Sequence, residues 1–376
     1  MPFLAVIMAS FAVSALVTPL VGRLARHFGV LDVPAQPRKT HGAPTPLLGG
    51  IAVLLGFAAA VALCLLSGWL PDLHIKLKYL IGILAAASLL IIGGSLDDKF
   101  DLPPARQIVW PVLAALIVVA SGIGVTYITN PFGGQIHLDR EQFTVLWWGG
   151  LPYKLTVVAD LFSFFWLLGM TYTTKLLDGL DGLVSGVTVI GALIIAAVSL
   201  MKDVAQPDTA LLALAVAGAF AGFLLFNFNP ARIFLGEGGS TLAGFLLGTL
   251  AIISGGKIAT ALLVLGLPIF DTAVVVARRV FWYRRSVAAG DRSHLHFRLI
   301  EMGFSTRQTV LFYYFAAALF GSATLFLQGW EKIVALGLIA SVLAAVLSFW
   351  AALRRRAGRK GAGPVPEPAA TDRPRS

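Results

Sequence analysis

The sequence predicts an all-α polytopic membrane protein, on the basis of its composition, its repeated apolar stretches and the placement of its basic residues. Of its 376 residues, 57% are hydrophobic and 13% are charged, whereas about 25% of the residues of a soluble domain are charged. Such a chain has too few polar side chains to cover a soluble fold. We therefore expect lipid to surround most of it.

The apolar stretches predict about 11 transmembrane helices. Each is close to the roughly 20 residues that cross a bilayer core, and lipid offers the backbone no other hydrogen-bond partners, so the spans must be helical. The first stretch has no basic segment before it, and we interpret it as a retained span and not as a signal peptide. The stretches are centred roughly on residues 12, 58, 88, 114, 163, 192, 218, 247, 269, 318 and 343.

The basic residues predict the orientation, because cytoplasmic loops are enriched in Lys and Arg. With the N-terminus outside and the C-terminus cytoplasmic, 22 of the 29 basic residues fall on the cytoplasmic side. This distribution accounts for the net charge of +10 without a nucleic-acid partner. It predicts a multi-pass protein of the cell inner (plasma) membrane. The cytoplasmic segments are 23–45, 97–106, 173–182, 227–240, 278–307 and 354–376.

The domain organisation is predicted to be one transmembrane domain, residues 1–353, followed by a basic and disordered cytoplasmic tail, residues 354–376. In the longest outer loop, the segments Gly134–Leu138 and Phe143–Trp148 are expected to pair as a small external β-hairpin. The single cysteine, Cys64, lies in an apolar stretch, and we expect it to pack as a small apolar side chain.

The acidic residues indicate the functional site. An Asp inside a span costs several kcal/mol at the bilayer centre, so acids near spans are functional candidates first. Most acids lie at the predicted inner ends of helices, beside basic and Gly-rich segments. Oxygen ligands of this kind suit a site for Mg²⁺ and phosphate. The residues are Asp97, Asp98, Asp178, Asp181, Glu237, Asp271 and Asp291.

Two acidic motifs each have a plain alternative explanation. Gly-Gly-Ser-Leu-Asp-Asp-Lys, residues 93–99, places two carboxylates side by side, which favours a nearby cation; alternatively, it is a solvated helix end. Asp-Gly-Leu-Asp-Gly, residues 178–182, is expected to bring its two acids to one face of a helical turn; alternatively, it is an ordinary Asp-Gly turn.

Two further motifs suggest phosphate binding. Phe-Leu-Gly-Glu-Gly-Gly-Ser, residues 234–240, predicts a helix start with a Ser N-cap and free backbone N–H groups; a plain cap is the alternative. Asp-Arg-Ser-His-Leu-His, residues 291–296, is expected to be an extended loop that contacts phosphate by hydrogen bonds or charge, or else a solvated basic loop. It lacks the further ligands of a zinc site. A first inner loop adds Arg38, Lys39 and His41.

In this order, the segments resemble the polyprenyl-phosphate N-acetylhexosamine-1-phosphate transferase family, glycosyltransferase family 4, over about residues 1–350. The resemblance implies transfer of HexNAc-1-phosphate from UDP-HexNAc to undecaprenyl or another polyprenyl phosphate, release of UMP, and a requirement for Mg²⁺, with Mn²⁺ as a substitute. It implies the first membrane step of cell-envelope polysaccharide synthesis.

The chain is more similar to the UDP-GlcNAc:undecaprenyl-phosphate GlcNAc-1-phosphate transferase branch than to the phospho-MurNAc-pentapeptide translocase branch. The translocases differ from this chain in that they usually have ten spans and a run of adjacent histidines. They are the alternative assignment. A secondary transporter is a distant alternative, whose acids should cluster near the membrane midplane. The expected partners are the two substrates and membrane lipid; the oligomeric state is open and compatible with a homodimer.

The resemblance also implies roles for individual residues. Glu237 stands where the family has its metal-binding Asp. The expected catalytic residues are Asp97, Asp98, Asp181, His294 and His296, and the expected substrate-binding residues are Lys39, Arg106, Asp178, Asn227, Phe234 and Arg292.

Three positions depart from the family pattern. Glu237 replaces an Asp, Lys175 replaces an Asn that usually precedes the Asp-Gly-x-Asp-Gly motif, and Phe297 replaces a His. The longer acid bears on the geometry of a bound metal. Because the acids and the histidine loop remain, we expect activity.

Overall fold

The computed structural model describes residues 1–33, 44–69, 75–130, 133–140, 142–148, 151–202, 204–255, 258–277, 279, 294–327 and 329–361. Within these ranges the chain is mostly helical and carries three small antiparallel sheets of two strands each. The helical nature predicted from the apolar composition is confirmed.

The described elements are 14 helices and six short strands. In chain order they are α1 (Pro2–His27), β1 (Leu31–Asp32), β2 (Thr45–Pro46), α2 (Gly49–Leu66), α3 (Leu77–Phe100), α4 (Pro104–Gln107), α5 (Val109–Ala120), β3 (Tyr127–Thr129), β4 (Gln135–His137), β5 (Phe143–Trp148), β6 (Leu151–Leu155), α6 (Val157–Leu177), α7 (Leu183–Ser199), α8 (Pro207–Asn227), α9 (Gly236–Ile253), α10 (Ile258–Val264), α11 (Gly266–Ala277), α12 (Leu295–Glu301), α13 (Thr306–Ala323) and α14 (Trp330–Gly361).

Six of these helices are long and apolar enough to cross a membrane alone: α1, α2, α3, α6, α8 and α9. The pair α10 and α11, bent by 81° at a short break, forms a seventh candidate if it is one broken span. Every one of the predicted centres falls inside a helix. Length and composition therefore support six to seven spans within the described residues, because several of the remaining helices, such as α5 and α7, are shorter.

The interior of the bundle is formed mainly by α8 and α9. In their most apolar windows, 89% of α9 and 72% of α8 are buried, against 28% of α1. Helix α9 packs against α2, α3, α6 and α7, whereas α1 packs against α2 and α8. Several helices can therefore deliver side chains to the start of α9.

Backbone contacts between glycines fix the start of α9 against its neighbours. A Cβ atom on Gly94 of α3 would overlap the backbone of Gly238, and one on Gly50 of α2 would lie 2.5 Å from the backbone N of Gly239. Small residues permit this close approach between transmembrane helices. The crossing brings the C-terminal end of α3 against the first turn of α9.

The segment between α5 and α6 forms two hairpins. Strand β3 pairs with β4, and β5 pairs with β6. The strands expected at 134–138 and 143–148 exist as β4 and β5, but the prediction that they pair with each other is wrong. Strand β4 instead pairs with the strand before it, and β5 pairs with the strand after it.

Helix α14 continues through Arg354–Gly361, residues that the sequence places in the tail. Residues 362–376 lie outside the described part of the chain, and the boundary at residue 353 stays a prediction.

Candidate active site

Asp98 lies against the N-terminal end of α9. Its carboxylate accepts the backbone N–H of Glu237, at 3.0 Å to Oδ1 and 3.1 Å to Oδ2. The first N–H groups of a helix have no partner inside the helix and attract negative charge. Gly236 has φ of +72°, and a Cβ there would overlap the Asp98 carboxylate, so this turn requires glycine.

The expected Ser N-cap of α9 is wrong. Helix α9 begins at Gly236, and the Ser240 hydroxyl donates to the carbonyl of Gly236 at 3.1 Å, within the helix. The glycines before Ser240 lie inside the helix, where their lack of side chains permits the close contacts with α2 and α3. The backbone N–H of Glu237, which was expected to be free to bind phosphate, is bonded to the carboxylate of Asp98.

Glu237 forms an ion pair with Lys175, in the last turn of α6. The Lys175 ammonium also donates to Gln107 Oε1 at 3.0 Å, and Gln107 Nε2 donates to Asp97 Oδ1 at 3.1 Å. The backbone N–H of Leu102 donates to the same Asp97 oxygen at 2.9 Å. A continuous chain of polar contacts thus connects Asp97 to Glu237 through a glutamine and a lysine.

A cavity of about 10 Å³ adjoins this chain of contacts, between α3, α5 and α9. Asp97, Gln107 and Glu237 line it, together with Trp110 and Thr241. The indole N–H of Trp110 is buried and has no hydrogen-bond partner in the part of the chain that the structure describes. The volume is on the order of that needed for one water molecule.

Asp178 and Asp181 lie in a turn between α6 and α7. Asp181 Oδ2 accepts from Asn229 Nδ2 and from the backbone N–H of Ala231, both at 2.9 Å. Asp181 therefore holds the connection between α8 and α9. The expected helical turn is wrong, because α6 ends at Leu177 and α7 begins at Leu183.

Asp178 is close to the other acids. Surrounding protein atoms raise the pKa of this carboxyl above its ordinary value, and the negative Glu237 raises it further. The residue remains solvent-exposed, so water screens part of this effect. Asp98 in turn lies within electrostatic range of Asp97, Asp178 and Glu237. A bound cation or a protonated acid is needed to balance so many carboxylates.

The two predicted histidines stack against each other beside the acidic turn. Their ring centroids are 5.7 Å apart, with 9° between the ring planes. His294 has extended backbone as the N-cap of α12, as predicted, but the expected extended conformation of His296 is wrong because α12 begins at Leu295. A Cβ on Gly179 would overlap His296 Nε2, so the histidine segment packs directly on the Asp-Gly-Leu-Asp-Gly turn.

Asp271 of α11 orients His294. Its Oδ2 lies 2.9 Å from His294 Nδ1, and its Oδ1 accepts the N–H of Leu295 at 2.9 Å. Both side chains are buried. The sequence singled out Asp271 only as an inner acid, without a role. Its position within an apolar helix was the available signal, since such an acid needs a buried partner.

His296 is not positioned to carry charge. Burial is the main cause that lowers its pKa to about 3, and the neighbouring His294 contributes to that shift. Both ring nitrogens are buried without a hydrogen-bond partner among the described residues. The imidazole is therefore neutral near pH 7, which favours hydrogen bonding over charge donation.

The remaining candidates fall into two groups. Asn227 is buried, and its amide accepts from Ser185 Oγ at 2.8 Å and donates to the carbonyl of Ile233 at 3.0 Å, so it shapes the connection before α9. Phe234 belongs to the same connection, and its backbone forms hydrogen bonds with Pro46 and Gly49. Arg106 is exposed on α4.

Lys39 and Arg292 lie outside the described residues, as do Arg38, His41 and Asp291.

The donor set suits a hard divalent cation, since its charged atoms are carboxylate oxygens. No group of three or more His, Cys, Asp or Glu side chains in the described part of the chain is already arranged around one metal position. The Glu237 carboxylate is instead paired with Lys175. The structure therefore brings together Asp97, Asp98, Asp178 and Glu237, with the histidine pair against the same turn as Asp178.

The fold and this site define a class, a polytopic helical membrane protein with an acidic site at its helix ends. The family model of glycosyl transferase family 4 matches residues 80–255. A probable undecaprenyl-phosphate N-acetylglucosaminyl 1-phosphate transferase of Bacillus subtilis is 32% identical over 86% of this chain and 85% of its own length. The chain therefore belongs to glycosyl transferase family 4.

Other relatives carry related names. A decaprenyl-phosphate N-acetylglucosaminephosphotransferase of Mycolicibacterium smegmatis is 32% identical over 88% of this chain and 84% of its own. A phospho-N-acetylmuramoyl-pentapeptide-transferase of Desulforudis audaxviator is 30% identical over 81% of this chain and 90% of its own.

Proposed function

We propose that this chain transfers GlcNAc-1-phosphate from UDP-GlcNAc to undecaprenyl phosphate or a related polyprenyl phosphate. An oxygen of the lipid phosphate becomes bonded to the β-phosphorus of the donor. The bond from that phosphorus to the bridging oxygen breaks, and UMP leaves with the bridging oxygen. The products are UMP and a lipid diphosphate that carries GlcNAc.

The observation that carries this proposal is the convergence of acids from separate segments on the first turn of α9. Asp98 contacts Glu237 across 139 residues of sequence, and Asp178 acts electrostatically on both. Relatives that align over most of the chain are named for transfer of N-acetylglucosamine phosphate to undecaprenyl or decaprenyl phosphate.

The chain's own residues hold and order the reacting groups in this proposal. Asp98 fixes the start of α9, and Asp181 fixes the connection that precedes it, which includes Phe234. His294, oriented by Asp271, offers Nε2 as a hydrogen-bonding group towards phosphate. Catalysis of phosphoryl transfer depends mainly on such positioning and on electrostatics.

A Mg²⁺ ion, or Mn²⁺ in its place, would be held by Glu237 with help from Asp98 or Asp178. Its contribution would be to neutralise the negative charge of the diphosphate as UMP leaves. Lys39, Arg106 and Arg292 are proposed to bind phosphate oxygens, and Asn227 and Phe234 to border the uridine.

We also propose eleven spans in the inner membrane, with the N-terminus outside and the site cytoplasmic. Support comes from the positive-inside distribution of 22 among 29 basic residues. The helix ends that carry Asp98, Asp178 and Glu237 then lie on the same face as the basic loops, where soluble UDP-GlcNAc arrives.

Release of UMP by the full-length chain in detergent tests the proposal. With undecaprenyl phosphate and Mg²⁺, UDP-GlcNAc should yield UMP, and omission of the lipid phosphate or of Mg²⁺ should abolish it. UDP-MurNAc-pentapeptide and UDP-GalNAc are the comparison donors. Preference for UDP-MurNAc-pentapeptide would assign the chain to the alternative branch, and no UMP from any donor would refute the proposal.

A further inference from the structure

Two of the three departures from the family pattern touch each other. Lys175, from the end of α6, and Glu237, from the start of α9, form an ion pair. Their side chains are 19% and 21% exposed, so water screens the pair less than it screens a surface pair. A divalent cation that binds Glu237 must compete with an ammonium group that the protein already supplies.

The contacts of Lys175 place its ammonium in the middle of the acidic site. Besides Glu237, it contacts Gln107, whose other amide atom contacts Asp97, and it lies 5.6 Å from the centroid of the Tyr172 ring. Asp178 follows three residues after Lys175 and acts on the same Glu237. The ammonium thus balances part of the negative charge that a metal would otherwise balance.

The lysine is able to change partners. Its ammonium sits on a flexible stem of four carbons and has three donors that are not tied to one geometry. A cavity lined by Asp97, Gln107 and Glu237 lies beside the pair. Because a nucleotide diphosphate brings several anionic oxygens into the site, it offers the ammonium a replacement for the Glu237 carboxylate.

We propose that Lys175 is an exchangeable counter-ion that couples binding of the divalent cation to binding of the diphosphate donor. Without donor, the ammonium occupies Glu237 and keeps cation affinity low. With donor, Lys175 moves to a phosphate oxygen and releases Glu237 to the cation. This inference rests on the proposed function, and it makes Lys175 a positioning residue.

The coupling has a measurable consequence, because linkage between two ligands is reciprocal. UDP-GlcNAc should tighten Mn²⁺ binding to the wild-type chain, and Mn²⁺ should tighten UDP-GlcNAc binding by the same factor. Removal of the lysine charge should raise Mn²⁺ affinity in the absence of donor by about tenfold, which corresponds to about 1.4 kcal/mol. The effect of donor on Mn²⁺ affinity should shrink accordingly.

Electron paramagnetic resonance of free Mn²⁺, with the full-length protein in detergent, tests this inference. Lys175→Gln and Lys175→Asn are the neutral variants, and Lys175→Arg, which keeps the charge, should bind Mn²⁺ as weakly as the wild type. Lys99→Gln is the matched control, because Lys99 is an exposed lysine at the end of α3, near the acids but with its ammonium over Phe100.

Tighter Mn²⁺ binding without donor in either neutral variant, but not in Lys99→Gln, would support the counter-ion role. Unchanged or weaker Mn²⁺ binding in the folded neutral variants would overturn it, and so would a wild type whose Mn²⁺ affinity ignores UDP-GlcNAc. If Lys175→Gln does not fold, Lys175→Asn and the donor dependence of the wild type still decide the question. The measurement without donor does not depend on turnover, so a wild type that releases no UMP would refute the proposed function separately.

Discussion

The carboxylate of Asp98 accepts the backbone N–H of Glu237, so a side chain at the end of α3 completes the first turn of α9. The residue that holds the helix start is therefore also one of the acids of the site. A change at Asp98 alters both the charge of the site and the position of Glu237.

We expect Asp98→Ala, Asp181→Ala and Glu237→Ala each to lower UMP release by about 10²–10³-fold, because each removes an electrostatic or positioning group from the site. The initial rate of UMP release in detergent is the measurement. Asp101→Asn is the control, since Asp101 is exposed at the C-cap of α3 with φ of +47°, a conformation that Asn tolerates. Full activity in all three alanine variants would rule out this site.

Gly236→Ala should destabilise the protein by about 1–3 kcal/mol, because it combines positive φ with overlap of the new Cβ and the Asp98 carboxylate. Gly29→Ala separates the two causes, because Gly29 has φ of +68° but no atom of the described residues lies within 4 Å of a Cβ there. The unfolding temperature in detergent and the rate of UMP release should both fall more in Gly236→Ala than in Gly29→Ala. Equal effects of the two substitutions would show that contact with Asp98 is unimportant.

Asp271→Asn should lower UMP release by at least about tenfold while the protein remains folded, because the amide no longer fixes the His294 ring in one orientation. The dependence of kcat on pH should change along with its magnitude. Asp160→Asn is a suitable comparison, because Asp160 bonds Thr156 at the start of α6. The acidic site lies at the other end of that helix, which carries Lys175. Loss of activity with an unaltered pH profile would assign Asp271 a purely structural role.

The stability of the fold should depend on pH through His296. Its folded-state pKa is about 3, below the value of about 6.5 in an unfolded chain, so protonation favours the unfolded state. The contribution is fully present above about pH 6.5 and is lost progressively as pH falls towards the folded-state value. His296→Gln should flatten this decline in thermal unfolding between pH 7 and pH 4, whereas His27→Gln, at the exposed end of α1, should not.

Reporter fusions after Ser376 test the orientation. A fused green fluorescent protein should fluoresce and a fused alkaline phosphatase should be inactive, since the first folds in the cytoplasm and the second needs the oxidising outer side. The opposite pair of results would reverse the proposed topology and place the acidic site on the outer face.

The sequence predicts the helices from a local property and the acidic site from the arrangement of several segments. Every predicted span centre lies in a helix because apolar length is a local property. The convergence of Asp98, Asp178 and Glu237 was predictable because loop charge and helix direction place their segments on one face. The sequence could therefore predict that these acids lie together, whereas the roles assigned to the individual residues stay predictions.

Other features depend on contacts between distant segments, which local patterns do not encode. Nothing in the sequence indicates that Lys175 reaches Glu237, or that Asp271 reaches His294. The expected capping by Ser240 failed because the glycines before it serve a helix crossing, a tertiary demand that overrides the local capping preference. The pairing of the strands between α5 and α6 failed because each strand had a competing partner nearby.

The glycine contacts at the start of α9 have a mechanical consequence. Where Gly94 meets Gly238 and Gly50 meets Gly239, backbone touches backbone, and no side chain is present to change rotamer and absorb a displacement. A shift of α3 should therefore displace the peptide that carries Glu237. Altered packing of Gly93 on the Trp110 ring is one possible origin of such a shift. Substitutions on remote faces of these helices can thus impair turnover without touching either substrate.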